Sequence, residues 1–265
     1  PPPRFLPKNN VYSFPLSIMD FSMKETRVIM GMPIEIEVVG AADPEEAFSY
    51  LTGVDERFST YKESREISKI NRDELSPDAM SEEMREVFAL AEKTKQETGG
   101  FFNMRRPDGL LDPSGIVKGW AIRNAAARII AAGHRNFFVN AGGDIASSGV
   151  NEEGKDWSVG IRNPFNTSEI VKIIYPRGKG VATSGSYVRG AHIYNPRAPE
   201  EKLEDIVSIT VIGPDVLEAD RFATAAFAMG KEGIHFIERL PSFEGYAIDA
   251  KGIATMTGDF ETYLR

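Results

Sequence analysis

The stretch LDPSGIVKGW, residues 111–120, reads as the end of a strand, a tight turn and the start of a helix, with one lysine, Lys118, set just past the turn. A helix N-terminus favours anions, so a lysine there is either a solvated surface residue or one that answers a nearby anion. The stretch also divides the chain. After it, the alanine-rich segment 120–132 closes at Gly133 and reads as a helix packed closely against another element.

Beyond Gly133 the period changes. Residues 137–139, 145–149, 157–161, 170–175, 181–183 and 206–212 are short β-type runs separated by glycine, asparagine and proline turns. Asp215 and Glu218 then have capping-box spacing ahead of a helix over 216–229, which ends at Gly230, and a further helix over about 233–240 precedes Pro241. Before the stretch, Val28, Met30, Met32, Ile34, Ile36 and Val38 alternate as a half-buried strand. Asp43-Pro44 opens a helix carrying Phe48, Leu51, Val54 and Phe58, and Ser81 announces another, with Met84, Val87, Phe88 and Ala91 on one face and a stop at Gly99-Gly100. This order predicts an α+β fold with a mixed or antiparallel sheet, packed helices and two lobes flanking a cleft. Residues 1–20 are expected to form an extended arm and 21–265 a single domain.

A chain of 265 residues can bury roughly 75% of the surface its unfolded form exposes. A net charge of −8 argues against phosphate-backbone or anionic-membrane binding, and there is no apolar run long enough for a membrane span. With no cysteine, disulfides, thiolate metal sites and thiol nucleophiles are excluded. An anionic ligand would need a local cation.

Several stretches could carry chemistry. In EADRFATAAFAMG, residues 218–230, Asp220 and Thr224 lie four apart on one helix face and offer hard oxygens suited to Mg²⁺ or Ca²⁺; the competing reading is an exposed early-helix aspartate and a threonine bonded to its own backbone. In VNAGGDIASSG, 139–149, paired glycines permit either a ligand-approaching loop or a plain hairpin turn. VATSGSYVRGAHIYNPR, 181–197, combines hydroxyls with Arg189, Arg197 and His192; His192 is the histidine best placed to act as a base, while His134 and His235 read as structural. Tyr61, Phe101 and Phe102 are core aromatics or the wall of a site for a planar ring.

In this order the blocks resemble one family, the FAD:protein FMN transferases, also called the ApbE family. The resemblance runs from MGM at 30–32 through FSTYKESREISKIN at 58–71, GGFFN at 99–103, LDPSGIVKGW, NAGGDI at 140–145, ATSGSY at 182–187 and HIYNPR at 192–197 to EADRFATAAFAMG. It implies a Mg²⁺-dependent enzyme with an ApbE-like flavin transferase fold. Such an enzyme splits FAD, attaches FMN to a Thr or Ser hydroxyl of an acceptor flavoprotein, and releases AMP. It further implies that Asp220 and Thr224 are side-chain metal ligands, with Gly115 and Ala223 supplying carbonyls. Met30, Tyr61, Phe101, Phe102, Asn103, Asp112, Lys118 and Tyr194 fall where the family contacts FAD. His192 and Asp220 would be catalytic, together with Lys118, which would face a polar group of FAD.

The sequence departs from the family pattern in three places. Met32 replaces a hydroxyl, Asn103 stands where Asp is common, and a usually longer insertion is reduced to MRRPDG, 104–109, which marks a compact branch. The lipoprotein cysteine of exported members is absent, which favours a cytoplasmic form. Two other activities use the same residues: hydrolysis of FAD to FMN and AMP, and binding of FAD without turnover.

Overall fold

The computed structural model describes residues 22–40, 43–60, 63–186 and 193–264, so the expected N-terminal arm, Tyr61 and His192 lie outside the described residues. The alternation at the start belongs to two strands, β1 (Ser22–Ile29) and β2 (Met32–Val39), where a single strand was expected. Met30 and Gly31 both take positive φ, 54° and 71°, the geometry of a two-residue hairpin turn. Such a turn pairs Ile29 with Met32 and so inverts the odd-even parity. Ile29 is 8% exposed and Val28 79%, although Val28 is in step with the buried positions of β2.

Three helices follow. In α1 (Glu45–Phe58) the Asp43 carboxylate accepts the Glu45 N–H at 2.9 Å, and Phe48, Leu51, Val54 and Phe58 are buried. The short α2 (Glu66–Asn71) leads to α3 (Glu82–Glu97), whose Ser81 cap accepts the Met84 N–H at 3.1 Å. The long α4 (Ser114–Ala131) begins earlier than the sequence suggests, which places Lys118 a full turn inside it. The strand expected before it is a single bridge, Leu111 to Arg105, and Asn71 holds it by accepting the Leu111 N–H and donating to the Leu111 carbonyl at 2.8 and 2.9 Å. Trp120 of α4 is buried against Tyr50 and Phe58, with ring centroids 6.1 and 5.6 Å away, and a side chain of that size contributes roughly 1.5–3 kcal/mol by leaving water.

The second half is mostly strand: β3 (Phe137–Ala141), β4 (Asp144–Ser148), β5 (Val159–Asn163), β6 (Asn166–Ile174), β7 (Gly180–Gly185) and β8 (Ile206–Gly213). Then come α5 (Val216–Ala228), α6 (Glu232–Glu238), β9 (Glu244–Asp249) and β10 (Ala254–Met256). One antiparallel sheet has the order β1-β2-β3-β4-β7-β8-β9-β10, and β5 pairs with β6 separately. Of the anticipated capping box, half is present: Asp215 accepts the Glu218 N–H at 3.0 Å, while Glu218 turns instead to Arg221. Buried Arg221 also pairs with Glu97 and reaches Thr94, tying α5 to α3.

Two features of this frame position a site. The sheet is weakest between β4 and β7, where Ile145 and Val181 form the one paired position. The Asp144 carboxylate continues that seam by accepting the Thr183 N–H at 3.2 Å. The other feature is the close packing of α4 on α5 through Gly119, where an added Cβ would fall 2.8 Å from Asp220 Cβ and 2.9 Å from Leu217 Cα. Because one of these neighbours is backbone, the helices themselves would have to separate. We expect Gly119→Ala to lower unfolding free energy by about 1–3 kcal/mol in urea titrations. Gly53→Ala, inside α1 with open space around it, should raise it by about 0.5–1 kcal/mol. Equal effects at the two positions would contradict the packing argument.

Candidate active site

A cleft open to solvent lies beside the β4–β7 seam, lined from β7 by Thr183, Ser184 and Gly185. Its floor is built from α4 and α5. At the start of α4, Asp112 accepts the Ser114 N–H at 3.0 Å, and Gly115 lets the helix approach Phe102 and Thr224, since a Cβ there would lie 2.9 Å from the Phe102 ring. One turn on, the Lys118 ammonium stands 2.5 Å from Asp144 Oδ2 and 3.5 Å from Asp220 Oδ1. The other oxygen of Asp220 accepts the Gly119 N–H at 2.8 Å. In a regular α-helix that N–H points at the carbonyl of Gly115, so Asp220 competes for the donor that would otherwise occupy it.

The electrostatics follow from burial. Asp144 is 0% and Asp220 3% exposed, and with both ionised the two carboxylates sharing one ammonium leave a net negative floor. Burial pushes the Asp220 carboxyl up to about 7, opposed by the attraction of Lys118 and reinforced by the charge of Asp144. The alternative reading of Asp220 as an exposed early-helix residue is therefore overturned.

The walls come from distant segments. Gly99 and Gly100, with φ of 59° and 87°, end the α3 turn, and Thr98 Oγ1 then accepts the Phe102 N–H at 3.1 Å, which aims Phe101 and Phe102 at the cleft. Arg197 stacks over Phe101 with its guanidinium carbon 4.8 Å from the ring centroid. Opposite stand Thr183, Ser184 and Gly185 at the end of β7. The Tyr194 hydroxyl is buried without a hydrogen-bond partner among the described residues, and burial raises its pKa.

Nine residues singled out in the sequence line this one cleft: Phe101, Phe102, Asn103, Asp112, Gly115, Lys118, Tyr194, Asp220 and Thr224. Two others do not. Met30 sits in the β1–β2 turn, and the Ala223 side chain is buried between α5 and the sheet. Lys118, expected to face a polar group of FAD, is answered here by protein carboxylates. Met32 is a core residue beneath the β3–β4 turn, where its sulfur would be 3.0 Å from a Cβ at Gly142, itself a lining residue.

Asp144 and Arg106 escaped the sequence reading. Arg106 lines the cleft from the tight 104–109 turn, held by Asp108 at 2.7 Å. Asp144 had a readable signal: a lysine between apolar positions of α4 requires a buried anion, and NAGGD supplies one at the start of a buried strand. The NAGGD segment is indeed a hairpin turn, with Gly142 and Gly143 at φ 61° and 102° and Asn140 accepting the Gly143 N–H. Its aspartate points beneath the cleft. His235 is exposed on α6, and no group of three or more acidic or histidine side chains placed to hold a metal occurs among the described residues. No helix among them is long and apolar enough to cross a membrane.

The ApbE family model matches residues 30–106 and 104–247. The FAD:protein FMN transferase of Klebsiella pneumoniae (strain 342) is 32% identical over 170 residues, 60% of this chain and 49% of that protein. That of Escherichia coli (strain K12) is 30% identical over 170 residues, 60% of this chain and 48% of that protein. The chain thus spans about half the length of the curated relatives it matches. Among solved structures, the flavin transferase ApbE from Vibrio cholerae superposes with a TM-score of 0.82 at 23% identity, over 92% of this chain and 100% of that one. The ApbE protein from Thermotoga maritima gives 0.81 at 21%, over 92% and 100%. At these identities the likeness is one of fold: an α+β architecture with an antiparallel sheet and packed helices.

The floor predicts a pH dependence. A carboxyl whose folded pKa lies near 7 but whose unfolded pKa is about 3.9 stabilises the fold while protonated, and that contribution is lost as pH rises between the two values. Without divalent cations, the melting temperature should therefore fall between about pH 5 and pH 7.5 more steeply in the wild type than in Asp220→Asn. Parallel curves would show that Asp220 is not the strained group.

Proposed function

Because this chain belongs to the ApbE family, we propose that it is an FAD:protein FMN transferase, moving the FMN half of FAD to a Thr or Ser hydroxyl of an acceptor flavoprotein. The hydroxyl oxygen forms a bond to the FMN phosphorus, the phosphoanhydride P–O bond breaks, and AMP leaves with the electron pair. The observation that carries the reading is the gathering of residues from 101 to 224 around one cleft whose floor is a lysine held between two buried carboxylates. The names of the matched relatives support the same activity.

A magnesium ion fits the donors present. Asp220, Thr224 and the contested Gly115 carbonyl are hard oxygens on facing turns of α4 and α5, and Ala223 would add a second carbonyl. With few acidic side chains to hand, substrate phosphates and water would complete the shell, as is usual for this ion. When bound, magnesium supplies positive charge that offsets the pyrophosphate in an otherwise negative floor.

The chain's own groups do the rest. Phe101 and Phe102 offer aromatic rings to a planar ligand, and the Tyr194 hydroxyl offers a buried donor that lacks a partner among the described residues. Ser184 and Gly185 line the cleft at the end of β7, where the Ser184 hydroxyl and the backbone would meet phosphate oxygens, and Asn103 and Asp112 line the same cleft. Lys118 keeps a fixed cation beneath the reacting phosphate. His192 takes the proton of the incoming hydroxyl, a role that rests on its place in HIYNPR.

Incubation with FAD, Mg²⁺ and a candidate acceptor domain tests the reading through flavin products and acceptor mass. Acceptor heavier by one FMN, together with AMP, is the expected result; free FMN and AMP would indicate hydrolysis, and intact FAD simple binding, either of which contradicts transfer. His192→Ala should bind FAD as the wild type does and transfer about 10²–10⁴-fold more slowly, the range for loss of a general base. Undiminished transfer in that variant would remove the proposed base.

A further inference from the structure

The three charged groups of the floor are unequal. Lys118 lies 2.5 Å from Asp144 but 3.5 Å from Asp220, although both carboxylates are within reach of its flexible stem. Asp220 and Lys118 line the cleft, whereas Asp144 does not and is 0% exposed. One oxygen of Asp220 is engaged by the Gly119 N–H, which leaves the oxygen nearer to Lys118 as the one on which a cation and the ammonium would compete. Asp144 is anchored independently, on β4, with its own second oxygen accepting from Thr183.

We infer that Asp144 is a positioning residue: by drawing the Lys118 ammonium to itself, it keeps an oxygen of Asp220 available to a divalent cation. The inference rests on the reading of Asp220 as a cation ligand. Attraction between opposite charges rises as they approach, so a lysine deprived of Asp144 would close the remaining gap to Asp220 and neutralise it. The two carboxylates then have different tasks. The carboxylate that lines the cleft meets the ion, and the one that does not line it restrains the internal cation that would otherwise displace it.

The prediction concerns cation binding and can be read without turnover. Mn²⁺ binding to the chain without FAD, followed by electron paramagnetic resonance with Mg²⁺ competition, should weaken about tenfold or more in Asp144→Asn, an isosteric change that retains an acceptor for Thr183. Removal of the lysine should repair the defect: the Lys118→Met/Asp144→Asn double variant should bind Mn²⁺ within about threefold of Lys118→Met alone. Unchanged binding in Asp144→Asn overturns the inference. So does a double variant that stays weak, since Asp144 would then be a ligand itself. If Asp144→Asn does not fold, as judged by its melting curve, Lys118→Met alone decides, because it should bind Mn²⁺ at least as tightly as the wild type and weaker binding would refute the competition. Asp220→Ala tests the underlying reading separately: if that variant keeps wild-type affinity, or if the wild type binds no Mn²⁺, Asp220 is not a ligand and the inference falls with it.

Discussion

A single ammonium held between two buried carboxylates ties together the parts of this molecule that matter for its chemistry. Lys118 comes from α4, Asp220 from α5 and Asp144 from β4, so the cluster fixes the helices against the sheet at the seam between β4 and β7. Burying ions is costly, and a buried ion pair is often no more stabilising than apolar residues of similar volume. Once Asp220 ionises, the cluster carries one more negative than positive charge and is costlier still. Its presence in this fold is better explained by what it can hold than by stability.

Geometry around the cluster depends on small residues. Gly115 and Gly119 bring α4 close to Phe102 and Asp220: a Cβ at Gly119 would force α4 and α5 apart, and one at Gly115 would push the Phe102 ring away. This closeness lets the Gly119 N–H reach the Asp220 carboxylate and puts Thr224, one turn further along α5, at the same floor. Apolar packing around Trp120 and the Arg221 ties to α3 hold α4 and α5 in place from behind, away from the cleft. The cleft can therefore be polar and open without loosening the elements that line it.

Much of this could be read from the sequence where a local pattern determined the outcome. The helix caps at Ser81 and Asp215 and the glycine stop after α3 act where their chemistry places them, whereas the N-cap of α1 is Pro44, one residue past Asp43, which still accepts the Glu45 N–H. Errors arose where one pattern suits two structures. Alternation continued through the Met30-Gly31 turn because each strand of a hairpin has the same period, and only pairing reveals the change of face. The start of α4 reads late because the Leu111-Asp112-Pro113 run looks like a strand end, whereas what holds Leu111 is Asn71, forty residues away. Asp144 was missed for a related reason: a GGD turn looks the same whether its carboxylate meets water or a lysine from another element.

The central claim is that this floor receives a divalent cation on Asp220 while Asp144 retains Lys118. Crystals of the 265-residue chain grown with Mn²⁺ and FAD test it most directly, through the anomalous signal of manganese. A manganese peak in contact with oxygens of Asp220 and Thr224, with the Lys118 ammonium still against Asp144, is the expected result. A peak elsewhere in the cleft, or Lys118 seated on Asp220 with no metal beside it, would contradict the account.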